Sequence, residues 1–407
     1  MRRVVVTGMG GITALGRDWP TIRAAFAAGR TGVRYMDEWR RFTGVHTRLA
    51  APARDFSVGD RYPRKKLRTM GRVAAMAVSA SEHAIADAGL TDDPVLQAGR
   101  TGIAYGSSFG SPDAVLGFYE LKMHGESKNL TATNYIRMMC HTTAVNIGLF
   151  FGITGRIIPT SSACTSGSQG IGYAYESIRL NRADIMIAGG AEELDITDAA
   201  TFDTLFATST KNDHPETTPR PFDRDRDGLV IGEGAGTLVL EELDHARARG
   251  ARIYAELVGF GCNSDGSHVT QPQASTMQHA LRLALEDAGL PPEAVGFVSG
   301  HGTATEWGDI AETQATHKIF GARIPIHSLK GFFGHSLGAC GAIEAWLSIE
   351  MMREGWFCPT VNLQNVDERC AALDYIVNAP RHLEIEHLIS NNFAFGGINT
   401  SLIFKRV

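Results

Sequence analysis

The sequence predicts an α/β protein built from two duplicated halves, and three observations carry that prediction. Short apolar runs of strand character alternate with helix-patterned stretches along all 407 residues. The heptapeptide Ala84-Ile-Ala-Asp-Ala-Gly-Leu90 returns as Ala284-Leu-Glu-Asp-Ala-Gly-Leu290, identical at five of seven positions at an offset of 200. The same order of elements surrounds both copies, as a duplication requires.

Taken in order, Val4-Val-Val-Thr-Gly8 opens the chain as a strand, echoed by Ala255-Glu-Leu-Val-Gly259. Only three apolar residues, Val4–Val6, stand between Arg3 and Thr7, so Met1-Arg-Arg reads as a strand flank rather than a signal peptide. Each heptapeptide ends a helical run with glycine at the cap. Each is followed by a polar loop and a buried-type strand, Gly102–Tyr105 and Val295–Val298. Each strand runs into a small-residue loop, Gly106-Ser-Ser and Gly300-His-Gly-Thr. Further strands fall at Ile185–Ala188, Thr237–Leu240 and Thr400–Phe404, with glycine turns at 189–190, 232–236 and 396–397. No long linker interrupts the chain. The halves, residues 1–250 and 251–407, are expected to pack as one unit.

Composition narrows the function classes. Hydrophobic residues make up 43% and charged residues 20%, an ordinary globular balance. A net charge of −5 argues against a nucleic-acid surface, and the basic run Arg64–Arg68 reads as a solvated loop or helix start. No apolar run approaches 18 residues, so no membrane span is expected. The six cysteines are scattered without a C-x-x-C pair, which speaks for a reduced, cytoplasmic protein and against zinc.

The chemistry-bearing stretch is Thr160-Ser-Ser-Ala-Cys164-Thr-Ser-Gly-Ser-Gln-Gly170, followed by a helical run from Ile171 to Leu180. A thiol among residues of little bulk is open to substrate, and a helix start favours its thiolate. The competing reading is a small buried cysteine. Two glycine motifs need weighing. Gly8-Met-Gly10 resembles a dinucleotide loop, but Thr13 stands where the third glycine is required. Gly334-His-Ser-Leu-Gly338 fits the nucleophile elbow of a serine hydrolase at Ser336, with Glu344 or Asp374 and His382 or His387 as acid and base. The residues before it, Lys330-Gly-Phe-Phe, are not a buried strand.

Two of fourteen histidines, His301 and His335, sit in small-residue loops that let a substrate approach. Lys330 lies beside glycine and the phenylalanines Phe332 and Phe333, where its charge needs a carboxylate such as Glu312 or Glu344. A cysteine with an imidazole points to acyl transfer through a thioester. A second imidazole suits charge building on another carbonyl oxygen, as in enolate formation. Carbon–carbon bond formation is favoured over hydrolysis.

The chain resembles the elongating β-ketoacyl-(acyl carrier protein) synthases, types I and II, of the thiolase superfamily. The resemblance rests on Ser162-Ala-Cys164-Thr-Ser-Gly, Ala188–Glu193, Pro221–Gly228, His301–Thr305, Ser328-Leu-Lys330, Gly334–Ala339 and Asn392–Asn399, in this order over nearly the whole chain. It implies a five-layered αβαβα thiolase fold and decarboxylative condensation of a malonyl group with an acyl chain held on Cys164. It implies that His301 and His335 assist decarboxylation, and that Lys330 sets the electrostatics with Glu312 and Glu344. Backbone N–H groups of Cys164 and Phe395 would form the oxyanion hole, Thr303 and Thr305 would bind the pantetheine arm, and Phe393 and Phe395 would belong to a gate. His335 in the third position separates the chain from the initiating Cys-His-Asn synthases. No cofactor or metal is implied, the substrates riding on the phosphopantetheine of acyl carrier protein. The partner subunit would be an identical copy or a chain-length-factor-like subunit.

Departures from the family bear on the acyl chain. Ile398 interrupts the usual Gly-Thr-Asn, Ala394 replaces a glycine in the gate, and Glu306 stands where proline is usual. Phe109 falls at the expected acyl-pocket wall, where a phenyl shortens the pocket and favours a short, unsaturated or aromatic chain. Met138–Phe151 is expected in that pocket, in a dimer contact or in the core. The wording of Ser390–Thr400 and His141–Asn146 is similar to ketosynthases of aryl-polyene clusters. The remaining alternatives are a Ser336 hydrolase and a non-catalytic chain-length-factor-like subunit.

Overall fold

The computed structural model describes residues 1–57 and 62–407. In the first half, β1 (Val4–Ile12) is followed by α1 (Arg72–Asp87), β2 (Thr101–Gly106), α2 (Thr142–Phe151) and β3 (Ile157–Thr160). Then come α3 (Ser166–Arg179), β4 (Ile185–Glu192), α4 (Ile196–Asp203) and β5 (Gly234–Glu242). The second half runs β6 (Ala255–Ser264), α5 (Ala274–Ala288), β7 (Val295–Ser299), α6 (Glu306–Phe320) and β8 (Pro325–His327). It closes with α7 (Cys340–Glu354), β9 (Asp374–Tyr375), β10 (His387–Phe393) and β11 (Ile398–Lys405).

These strands form one continuous sheet in the order β9-β8-β7-β10-β11-β6-β1-β5-β4-β2-β3. Outward from the centre the two sides read β1-β5-β4-β2-β3 and β6-β11-β10-β7-β8, the second extended by β9. The pairing senses match: β2 is parallel to β3 and β4, as β7 is to β8 and β10, while the inner strands pair antiparallel. The halves join where Val4, Val5 and Val6 pair with Leu257, Glu256 and Ala255.

The heptapeptide repeat is the end of α1 and of α5, the helices that cover the outer faces of β1 and β6. Close approach explains its small residues: a Cβ on Gly10 would lie 2.4 Å from the Ala80 carbonyl, and one on Gly261 would lie 2.1 Å from that of Ala280. Both alanines stand one turn before their heptapeptide. Helices α3 and α7 pack on strands of both halves and on each other. They form the middle layer of the five-layered αβαβα arrangement. The largest hydrophobic core joins these helices to both sides of the sheet, through Ile171, Tyr175, Ile343, Trp346, Leu240 and Phe404.

Candidate active site

The two middle helices start side by side, and the chemistry sits at those starts. A turn at Ala163–Thr165 precedes α3, and one at Leu337–Ala339 precedes α7. Gly190 lets them meet, since its Cβ would fall 2.2 Å from the Gly338 carbonyl. Ala163 takes φ +51°, a left-handed conformation unfavourable for an L-residue, and this bend precedes Cys164.

Cys164 is buried with its sulfur 3.0 Å from His335 Nε2. His301 stands across from His335, ring centres 5.1 Å apart and nearly perpendicular. His301 Nδ1 lies 3.2 Å from Lys330 Nζ and 3.3 Å from Asn392 Nδ2. Lys330 Nζ contacts Glu344 Oε1 at 2.5 Å, and Asn392 Nδ2 donates to Glu344 Oε2 at 2.7 Å. A carboxylate only accepts, which fixes the Asn392 amide with its nitrogen toward His301. Two donors therefore meet Nδ1, and the His301 proton sits on Nε2, the nitrogen free to face substrate.

The charges in this site follow from burial. Burial pushes the Cys164 thiol up to about 12, against the pull of the Lys330 ammonium and of the N–H groups of Phe395 and Cys164 that face the sulfur. Burial thus outweighs the helix start. The thiol is protonated at rest, and its proton must be taken during attack. Burial, then the Lys330 charge, holds both imidazoles well below 6.5, so both are neutral near pH 7. Burial alone would lower Lys330, but Glu344 more than offsets it and keeps the ammonium. The expected consequence is a Cys164 acylation rate that stays level from about pH 8 to about pH 6, without a histidine step at 6.5. Removing the ammonium in Lys330→Met should raise the histidine pKa and move the acid limb to higher pH than in wild type, with the depression that burial causes still in place; stopped-flow acylation against pH checks both.

The carboxylates expected beside Lys330 divide their roles. Glu344 makes the ion pair. Glu312 instead accepts the backbone N–H groups of His301 and Gly302 at 2.6 and 2.7 Å and so holds the loop that carries the imidazole. Burial pushes Glu312 up to about 8. Cys164, His301 and His335 also offer donor atoms within 4.8 Å of one another, as do His301, Cys340 and Glu344. The Lys330 ammonium beside His301 opposes a second cation there, and the set suits proton transfer better than metal ligation.

A cavity of about 730 Å3 leads from solvent to Cys164, His301 and His335. Thr303, Thr305, Phe393 and Phe395 line it, with the two threonine hydroxyls 2.8 Å apart. Phe395 packs on Phe202 at 5.1 Å and Phe393 on His301 at 6.2 Å. Ile398 is not in the wall; it begins β11, and its carbonyl accepts the Ala394 N–H at 2.8 Å, closing the turn that presents Phe395. Phe109 does not line the cavity either, and 44% of it is exposed. Met138–Phe151 is likewise absent from the wall: Ala144 and Ile147 are core, whereas Leu149 faces outward.

The serine-hydrolase reading fails on geometry. Ser336 is buried, and its Oγ has no hydrogen-bond partner among the described residues. Glu344 is committed to Lys330, Asp374 to Arg381, and His387 to the Ala294 carbonyl, while His382 lies exposed on a short strand. Sequence reasoning gave no role to Asn392 or Glu192. Buried Glu192 accepts from Ser107 Oγ, Ser108 N and Gly338 N at 3.0, 2.8 and 2.9 Å, tying the loop after β2 to the turn before α7. Both residues stand inside recognised motifs, and that is their only sequence signal. Cys340, which donates to the Cys164 carbonyl at 3.2 Å, gave none.

A thiolase-fold condensing enzyme, an acyltransferase built around a cysteine and two imidazoles, is the class that this fold and site define. Residues 1–246 match the model of the beta-ketoacyl synthase N-terminal domain and residues 254–364 that of its C-terminal domain, and the chain belongs to the β-ketoacyl synthase family. It is 36% identical to 3-oxoacyl-[acyl-carrier-protein] synthase 2 of Vibrio cholerae, over 100% of this chain and 99% of that protein. A beta-ketoacyl synthase crystal structure from Burkholderia phymatum matches with TM-score 0.99 and 59% identity, each chain fully covered. The ishigamide ketosynthase/chain length factor matches at TM-score 0.91 and 32% identity, covering 100% of this chain and 99% of that one.

Proposed function

We propose that this β-ketoacyl synthase condenses a malonyl thioester with an acyl group held on Cys164, both delivered on acyl carrier protein. Residues 1–250 supply the nucleophile, and residues 251–407 supply both imidazoles and the gate. The observation that carries the reading is the pair of imidazoles with ring nitrogens within 4.8 Å of one thiol, with His301 Nδ1 facing the Lys330 and Asn392 donors so that its Nε2–H is directed away from Lys330.

His335 Nε2 takes the thiol proton as the sulfur attacks the acyl carbonyl. The oxyanion meets the N–H groups of Cys164 and Phe395. The carrier sulfur leaves with that proton, and the acyl-enzyme remains. A malonyl thioester then enters between the imidazoles. Its carboxyl C–C bond breaks, carbon dioxide departs, and the electron pair passes to an enolate whose oxygen is held by the His301 Nε2–H, with His335 at the same carbonyl. The carbanion attacks the Cys164 thioester and its C–S bond breaks. The thiolate takes up a proton from water relayed by His335, and the product is two carbons longer.

The enzyme works in the cytoplasm; among the described residues no helix is long and apolar enough to cross a membrane. Its partner subunit covers the exposed apolar side chains Phe109, Tyr119, Met123, Tyr135 and Leu149, and edge strand β3. Phe109 meets the acyl chain across that contact and limits its length. The similarity to the ishigamide ketosynthase/chain length factor supports a chain-length-factor-like subunit as that partner; a second identical copy is the other arrangement. The test is condensation of malonyl-carrier with acyl-carriers of graded length. Wild type should prefer short, unsaturated or aromatic chains, and Phe109→Gly should extend the accepted range by at least two carbons. A Phe109→Gly enzyme with unchanged preference contradicts the pocket assignment, and no β-ketoacyl product from any donor contradicts the function.

A further inference from the structure

Asn392 lies near the end of β10, fully buried, in an orientation that leaves its own oxygen unpaired. Its nitrogen donates to Glu344 Oε2 at 2.7 Å and lies 3.3 Å from His301 Nδ1, with Cys340 Sγ at 3.7 Å. Oδ1 has no hydrogen-bond partner among the described residues. A buried acceptor without a donor is uncommon and destabilising. Turning the amide over gives no relief, since Oδ1 would then face the acceptor-only Glu344 carboxylate and His301 would lose a donor. Room is also kept for that oxygen. A Cβ on Gly341, the second residue of α7, would fall 2.5 Å from Asn392 Oδ1 and 2.8 Å from Ser168 Cβ.

The contacts close a ring. Lys330 Nζ joins His301 Nδ1 to Glu344 Oε1, and Asn392 Nδ2 joins the same Nδ1 to Glu344 Oε2. The two bridges differ in kind. The ammonium is a point charge with three rotatable hydrogens, and it acts on both imidazoles. The amide is neutral and planar. With one hydrogen held by the carboxylate, the other is aimed at Nδ1 and at no ring atom of His335. An imidazole nitrogen that receives a fixed donor cannot carry the proton itself.

We infer that Asn392 is a positioning residue that holds His301 as its Nε2–H tautomer and so serves decarboxylation and not acylation. This rests on the condensing reading above, in which the His301 Nε2–H holds the enolate oxygen and His335 takes the Cys164 proton. Lys330 acts on both steps through its charge, whereas the Asn392 amide acts on one of them through one hydrogen bond.

The test reads the two half-reactions apart. Decarboxylation is followed as carbon dioxide from malonyl-carrier in the Cys164→Ala background, and acylation as the thioester formed on Cys164 in the otherwise native enzyme. Asn392→Leu, close in volume and without a donor, should lower the decarboxylation kcat about tenfold with KM within about twofold, and acylation by less than about threefold. Asn392→Asp sets a second carboxyl against Glu344, so the two share a proton; the remaining Asp oxygen then accepts from Nδ1–H and turns the His301 proton round. Decarboxylation should fall about a hundredfold in that variant. In 15N-histidine-labelled enzyme near neutral pH, His301 Nδ1, identified by its loss in His301→Gln, should be unprotonated in wild type and protonated in Asn392→Asp. A decarboxylation loss under about fivefold in Asn392→Leu, an acylation loss as large as the decarboxylation loss, or a His301 proton that stays on Nε2 in Asn392→Asp overturns the inference. No carbon dioxide from any malonyl-carrier in the Cys164→Ala enzyme with Asn392 intact instead contradicts the condensing reading itself.

Discussion

Cys164→Ala is expected to abolish condensation, with a loss on the order of 10^4-fold or more, because no other group can hold the acyl chain. Cys340 is the nearest alternative thiol, and its sulfur is spent on the Cys164 carbonyl, with burial holding its pKa well above 9. Ser336→Ala should leave the rate within about threefold, since Ser336 Oγ has no hydrogen-bond partner, and so no base bonded to it, among the described residues. Steady-state condensation assays on the two variants separate the cysteine account from the serine one. A dead Ser336→Ala beside an active Cys164→Ala would reverse the assignment. The histidine pair does not depend on the sulfur, so Cys164→Ala should still release carbon dioxide from malonyl-carrier.

The second large effect is on Lys330, and it falls on stability and activity together. Lys330 and Glu344 are a fully buried ion pair at 2.5 Å. Lys330→Ala leaves the Glu344 carboxylate buried with only Asn392 as donor and should cost about 3–5 kcal/mol in chemical denaturation. It also removes one of the two donors that hold the His301 proton on Nε2, so decarboxylation should fall by about 10^2-fold or more. Glu344→Ala added to Lys330→Ala should recover part of the stability, because no unpaired buried charge remains, and none of the activity. Recovery of both would show that the lysine serves folding alone. Additive losses without recovery would show that the pair is not coupled.

How far the sequence led differs between fold and site. The alternation of strands and helices and the repeated Asp-Ala-Gly-Leu cap were legible because they record local constraints: buried strands, a helix end, and a close approach of Gly10 and Gly261 to a helix backbone. The joining of both halves into one eleven-stranded sheet was not, since pairing of Val4–Val6 with Ala255–Leu257 is a contact across some 250 residues that no local pattern encodes. In the site, Cys164, His301 and His335 stood out because reactive side chains sat among small residues. The division of labour between Glu312 and Glu344 did not, because a carboxylate on a backbone loop and one on an ammonium look alike in sequence. Asn392 escaped for a related reason: it bridges His301 and Glu344, partners 91 and 48 positions away. The thiolate expected at the helix start was offset by burial, which becomes visible only when the neighbours are in place.

The central claim is that Cys164 carries the acyl chain while the two imidazoles do the carbon–carbon chemistry. Intact-protein mass spectrometry after mixing with a panel of acyl-carrier proteins tests it most directly. The account predicts a single acyl adduct that maps to the Cys164 peptide, is discharged when malonyl-carrier is added, and is absent from Cys164→Ala. An adduct that maps elsewhere, or none from any donor, would contradict it.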